Sequence, residues 1–282
     1  DLKWTANGAE LATKAGDFKM RLAGRVQFDY GVLQAPDPGS ITSIPAGAGT
    51  KDSVFFRRLR LGAYGTMWEQ VDWATEVDFA NTEFNIDPAA GGNNPPTGLR
   101  SSGAFPAGGN VISIVAPTDV WMTFRELPFG SVRVGNQKEF IGLEHMNSSR
   151  FLDFLERSPL QDAFNGPNNN GFTPGITAYN TTENQYATWA LGVFKNNDYE
   201  SGFPFDVGNN NYAYSSRFTW TPYYDEGSDG RALLHLGFGS VVRTFDNEPP
   251  GYTGGTNVRL RVRGDVRNVA STLPPNYADT GN

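Results

Sequence analysis

The stretch Phe18-Lys19-Met20-Arg21-Leu22-Ala23-Gly24-Arg25-Val26-Gln27-Phe28-Asp29-Tyr30 decides the fold. Successive side chains of a strand point to opposite faces. Here Phe18, Met20, Leu22, Val26, Phe28 and Tyr30 share one face, and Lys19, Arg21, Arg25, Gln27 and Asp29 share the other. The run is long for a globular strand, which usually has about 5 to 6 residues. It suits a bilayer, which a tilted strand crosses in roughly 9 to 11 residues with apolar side chains toward lipid and polar ones toward a wet interior.

The same two-sided pattern recurs along the chain. Val71, Trp73, Val77 and Phe79 lie opposite Asp72, Glu76 and Asp78, and Ala187, Trp189, Leu191 and Val193 form another apolar row. Leu234, Leu236, Phe238 and Val242 face away from His235, Gly237, Gly239 and Arg243, and Val258, Leu260 and Val262 alternate with Arg259, Arg261 and Arg263. The alternation predicts ten strands, near 17–34, 53–67, 70–84, 115–126, 130–139, 171–180, 184–195, 211–222, 231–245 and 256–268. The links between them alternate as well. Short ones fall at 68–69, 127–129, 181–183 and 223–230, and long ones at 35–52, 85–114, 140–170, 196–210 and 246–255. Short turns on one side and long loops on the other belong to an outer-membrane barrel rather than to a soluble sandwich. That parity predicts an amino terminus on the periplasmic side and long loops outside.

Composition narrows the classes further. No run of about 18 apolar residues exists, which excludes helical membrane spans. Aromatic residues make up 13% of the chain, enough for girdles at two membrane interfaces. With no cysteine there is no disulfide, thiol chemistry or thiolate metal site. His145 and His235 are the only histidines and have no metal-ligand spacing, so neither a metal nor another cofactor is expected. Catalysis is not expected either: the carboxylates between Asp72 and Asp78 alternate along a strand, unlike a glycosidase pair, and the glycine pairs at 91–92 and 254–255 lack the strand-to-helix setting of a phosphate loop. A formal charge of -7 argues against a nucleic-acid partner. Asp1 follows no charged and apolar leader, which reads as a mature chain after removal of a signal peptide. The ending Leu273-Pro274-Pro275-Asn276-Tyr277-Ala278-Asp279-Thr280-Gly281-Asn282 has loop composition where a barrel should finish on a strand. Residues 1–282 are therefore expected to be one barrel domain lacking its last strands, because an open edge in lipid costs several kcal/mol per unpaired amide.

Several pieces in order resemble one family. They are Leu22 to Tyr30; Phe55-Phe56-Arg57-Arg58-Leu59-Arg60-Leu61-Gly62 with Gly65-Thr66; Val132-Arg133-Val134-Gly135-Asn136-Gln137-Lys138-Glu139; Gly142-Leu143-Glu144 followed by Ser148-Ser149 and Phe154-Leu155-Glu156-Arg157-Ser158; and Trp189-Ala190-Leu191-Gly192-Val193-Phe194. Together they resemble the phosphate-selective porins of the porin O and porin P type. The resemblance implies a homotrimer of 16-stranded channels in an outer membrane, in which arginines guide anions to a lysine-lined constriction. About ten of those strands would be present here. Gln137 and Ile141 depart from the family's pattern, which has an aromatic residue and Pro-Phe near those places.

Candidate site residues follow from residue chemistry read beside that resemblance. A phosphate entering a pore exchanges water for other donors, and arginine offers a planar fork suited to oxyanions. Arg259, Arg261 and Arg263 are spaced by two, so they are expected to project from one face about 6.5 to 7 Å apart as a ladder. Arg58 and Arg60 form a second step, with Arg217 and Arg243 as further candidates. The resemblance places Lys138 at the constriction, and a simple hairpin through Pro128 and Phe129 predicts Asp119 directly across from it. In the constriction loop at 140–170 a helix is expected, capped by Ser148 or Ser149, with Phe151, Phe154 and Leu155 as its stripe and Pro159 as its stop. That loop is expected to fold inward, leaving Arg150 and Arg157 able to face the channel. Against this stand bland readings: arginines that only pair with Asp72, Glu76, Asp78 or Asp265, and a lysine in a structural ion pair. The expected partners are small anions, outer-membrane lipid and further copies of the chain. Alternatives left open are a channel of the same build for a sugar or other solute, and a non-transporting binding or structural β protein such as a lectin or a plugged barrel.

Overall fold

A computed structural model describes residues 2–5, 8–33, 51–80, 83–86, 110–113, 115–165, 171–195, 212–244, 261–263 and 276–279. Eleven strands build one antiparallel sheet: β1 (Leu2–Thr5), β2 (Gly8–Ala12), β3 (Phe18–Leu33), β4 (Lys51–Met67), β5 (Val71–Asp78), β8 (Ala116–Leu127), β9 (Gly130–Lys138), β10 (Phe172–Thr181), β11 (Ala187–Lys195), β12 (Tyr212–Tyr224) and β13 (Leu233–Arg243). They follow one another in chain order, as an up-and-down barrel wall requires. β6 (Glu83–Ile86) and β7 (Asn110–Ser113) pair with each other in a separate two-stranded sheet. Among the described residues the wall is not closed, since β1 and β13 each have one neighbour.

The main sheet gains β1 and β2, of 4 and 5 residues, which are too short to register as alternating runs. The strand expected at 256–268 lies mostly outside the described residues. Of it, β14 (Arg261–Arg263) is described, and it pairs with β15 (Asn276–Asp279) in a separate two-stranded sheet, with Arg261 opposite Asp279.

The inside and outside of this wall are the reverse of a soluble protein's. Leu22, Val26, Phe28, Tyr30, Leu61, Leu191, Phe238 and Val242 are exposed, whereas Arg57, Arg58, Glu76, Asp78, Thr123, Thr177 and Thr219 are buried. Along β3 the even-numbered residues from Leu22 to Val32 are exposed, and the odd-numbered ones between them are less so. No soluble core spends so many large apolar side chains on its surface; in a membrane that surface is the lipid contact. At the short-turn end, Trp68, Phe129, Tyr186 and Tyr223 are all exposed, one near each of four successive hairpin turns. That row is an aromatic girdle of the kind that sits at a membrane interface. No helix among the described residues is long and apolar enough to cross a membrane.

Two local irregularities set up the inner face. Gln27 of β3 pairs with Arg58 and Phe28 pairs with Phe56, so Arg57 is an extra residue in β4. Such a bulge re-aims side chains, and here Arg57 and Arg58 both reach the polar side. In the β8–β9 hairpin the register shifts between Phe124 and Leu127, with Glu126 at φ 61. Gly135 sits opposite Trp121 with φ +131, and a Cβ there would lie 2.3 Å from the Val120 carbonyl oxygen.

Candidate functional site

The segment after β9 crosses the polar face and reaches β3 and β4, three to four strands away around the sheet. We call residues 139–165 the strap. It holds α1 (Leu143–Met146) and α2 (Pro159–Asn165), with turns and bends between them. The helix expected over the stretch before Pro159 is therefore absent, and Pro159 begins a helix instead of stopping one. Proline suits a first helical position, where its missing N–H is not needed. The serines that looked like caps are spent elsewhere: Ser149 Oγ accepts from Arg25 at 2.6 Å, and Ser148 Oγ accepts from the Arg150 amide at 3.3 Å. Such side-chain bonds offer the backbone an alternative to helix. Phe151, Phe154 and Leu155 are exposed rather than forming a packed stripe.

Ion pairs tie the strap and wall together. Arg57 grips Glu156 with Nε and, at 3.0 Å, with a terminal nitrogen, and Arg58 stands 3.5 Å from the same carboxylate. Arg58 also donates to Gln27 Oε1 at 2.5 Å. Arg243 on β13 binds both oxygens of Glu139, at 2.9 and 2.7 Å. On the wall, Arg60 donates to Asp78 at 2.7 Å and to Glu76 at 3.1 Å, and Glu76 also accepts from Tyr64 and Thr118. Three of the expected anion ligands, Arg58, Arg60 and Arg243, thus have carboxylate partners.

Among the described residues, a second set of cations has only neutral ones. Lys138 Nζ donates to the carbonyls of His145 at 2.8 Å and Asn147 at 3.2 Å. Arg157 donates to the carbonyls of Glu144 at 2.7 Å and Asn147 at 2.8 Å, so two positive groups converge on one oxygen. Arg150 donates to the Gly24 carbonyl at 3.2 Å, and Arg25 to Ser149. Phe172 lies between the groups, with Arg60 5.6 Å and Lys138 5.8 Å from its ring centre. The side chain of Arg217, on β12 opposite Ala190 and Gly239, makes no hydrogen bond or ion pair among the described residues. Under the strap, burial first, and then the charges of Lys138 and Arg157, holds the His145 imidazole well below the usual histidine range, so the ring is neutral at pH 7.

Asp119 is not directly across from Lys138. The shifted β8–β9 register pairs Val120 with Asn136, one residue away from a simple hairpin through Pro128 and Phe129. Asp119 instead accepts from Trp121 Nε1 at 2.9 Å, and no ion pair joins it to Lys138 among the described residues. Arg259 lies outside the described residues; Arg261 and Arg263 stand on β14, in the separate two-stranded sheet rather than in the wall. Sequence reasoning missed Arg25, Arg57, Glu139 and Glu156 as members of the site. The adjacent Arg57-Arg58 pair was the one available signal, since a regular strand would send those two to opposite faces.

An antiparallel wall with an apolar outside and a charged inside crossed by a strap is the architecture of a β-barrel porin. A family profile described as phosphate-selective porin O and P matches residues 20–281, and the chain belongs to that family. It is 23% identical over 278 residues to Porin O of Pseudomonas aeruginosa, covering 99% of this chain and 52% of that protein. It is 24% identical over 238 residues to a Caulobacter vibrioides protein described as uncharacterized, covering 82% of this chain and 38% of that one. The chain thus spans about half the length, or less, of these curated relatives.

Proposed function

We propose that the protein is an outer-membrane channel that passes small anions, phosphate or related oxyanions, through a water-filled pore. One observation carries this reading: Arg25, Lys138, Arg150 and Arg157 gather where the strap meets the wall, and none has a carboxylate partner among the described residues. Carbonyl and hydroxyl ligands fix those groups in place while leaving their charge available to a passing anion. Selectivity in channels rests on such placed charges, each weak enough to release the ion. The name of the Pseudomonas relative supports a porin.

In this reading residues 1–282 form one barrel domain, 140–170 is its constriction loop, and Lys138 marks the narrowest point. Arg217 adds a cation on the path that has no ion pair among the described residues, and Arg259, Arg261 and Arg263 deliver anions to Lys138. Arg58, Arg60 and Arg243 serve first as partners of carboxylates, and Asp119 moderates the positive site. Three copies assemble side by side, each with its own pore, in outer-membrane lipid. The test is the reversal potential of the full-length protein in a planar bilayer under a potassium chloride gradient, followed by phosphate addition. Anion preference and block of chloride current by phosphate are expected. A cation-selective reversal potential refutes the reading.

The carboxylates favour a second reading. Glu76, Asp78, Glu139 and Glu156 cancel much of the arginine charge, as suits a general channel for small solutes. A reversal potential near zero with undiminished sugar flux would select it.

A further inference from the structure

The strap's Glu156 lies between two arginines of the wall. The bulge in β4 brings Arg57 and Arg58 to the same side, and both are buried, 7% and 3% exposed. Two neighbouring guanidinium groups out of water hold together only with an anion between them. That anion is the Glu156 carboxylate, itself 8% exposed, with one oxygen on Arg57 Nε and the other 3.0 Å from Arg57 and 3.5 Å from Arg58. Paired oxygens on an arginine fork are equally the geometry of sulfate or phosphate. Among the described residues, the remaining ties of this end of the strap to β3 are bonds to neutral groups, Arg25 to Ser149 and Arg150 to the Gly24 carbonyl. Exchange of the carboxylate for a dissolved oxyanion therefore removes the only ion pairs holding that end among the described residues.

We propose that Glu156 is an internal competitor: a tetrahedral oxyanion in the pore contends with it for Arg57 and Arg58, and the strap loosens as the oxyanion concentration rises. A pore that carries oxyanions would then widen in response to its own cargo. This rests on oxyanions reaching the inner face, as proposed above. The reversal potential tests that path and a label on the strap tests Glu156, so either can fail alone.

Because the chain has no cysteine and Asp153 is exposed, Asp153→Cys gives one reporter thiol on the strap. The full-length porin carrying it is spin-labelled in lipid vesicles and titrated with sulfate, against chloride at equal ionic strength. With Glu156 present, sulfate is expected to mobilise the label and chloride to leave it unchanged. With Glu156→Gln added, the label is expected to be mobile in chloride already and to stay mobile as sulfate fills the vacated fork. This loss of the sulfate response is the signature of competition. If sulfate and chloride act alike on the Glu156 protein, or sulfate mobilises the label further in the Glu156→Gln protein, the proposal is wrong. Should Glu156→Gln not assemble, Glu156→Asp keeps a shorter-reaching carboxylate, and the sulfate midpoint is expected to fall; an unchanged midpoint overturns the proposal.

Discussion

Placing arginine on the outer face of β3 should cost stability in proportion to depth in the membrane. At a rise of about 3.4 Å per residue and a tilt of about 40°, each residue climbs about 2.6 Å along the membrane normal. Counting from Phe18 at the short-turn end, Leu22 lies about 10 Å up, Val26 about 21 Å and Tyr30 about 31 Å. An apolar band about 25 Å tall then has its middle close to Leu22 and its upper rim near Val26. All three side chains are open to the outside, at 53%, 65% and 65% exposure, so packing losses are small and the transfer cost dominates. Leu22→Arg should cost about 2 to 4 kcal/mol, or about 30- to 1,000-fold in the folding constant, and Tyr30→Arg at most about 1 kcal/mol, with Val26→Arg between them. Reversible urea unfolding of the full-length protein in lipid vesicles measures all three. Equal costs at Leu22 and Tyr30, or no cost at Leu22, would show that this face does not meet lipid.

Neutralising Lys138 (Lys138→Gln) should lower the anion-to-cation permeability ratio, whereas removing a whole ion pair, Arg243→Gln with Glu139→Gln, should leave it nearly unchanged; bilayer reversal potentials compare the two. Gly135→Ala forces a side chain into a left-handed backbone against the Val120 carbonyl oxygen, 2.3 Å from the new Cβ, and should cost about 1 to 3 kcal/mol in the same urea assay. Docking of the strap should weaken in acid. His145 binds a proton less readily when docked than when free, so below a pH of about 6.5 the undocked form gains about 1.4 kcal/mol per pH unit. The charges facing the ring, Lys138, Arg157 and Arg243, all oppose that proton. The spin label at position 153 should therefore gain mobility between pH 6.5 and 5, and His145→Asn should flatten the profile.

The wall was legible because lipid reads each side chain separately. A two-residue period survives any detail of packing, and every strand expected between residues 17 and 245 appears in the main sheet, as β3 to β5 and β8 to β13. What escaped was whatever departs from that period. A bulge adds one residue, so Arg57 joined Arg58 on the inner face, and the shift near Glu126 moved Asp119 out of register with Lys138. The strap escaped for a different reason. Its conformation is set by partners more than 90 residues away in the chain, such as Arg57 for Glu156 and Arg25 for Ser149. Local signals around Ser148 and Pro159 point to a helix, and the long-range bonds outweigh them.

The partners of each cation also decide which of them a passing anion would feel. A lone positive charge about 5 Å from an anion is worth about 3 kcal/mol at an effective dielectric of about 20. Adding a carboxylate about 8 Å from that anion returns about 2 kcal/mol, leaving about a third of the attraction. Arg58, Arg60 and Arg243 therefore count for far less than their number suggests. Lys138 and Arg157, held by the shared Asn147 carbonyl, and Arg25 and Arg150, held by Ser149 and Gly24, have no carboxylate beside them among the described residues to offset their attraction. All four are tied to the strap, Lys138 by its backbone carbonyls, Arg25 by its Ser149 hydroxyl, and Arg150 and Arg157 as members of it. The strap is then more than an obstruction in the pore: if it undocks, the positive site loses its geometry along with the pore's narrowness, and Glu156 holds one end of it.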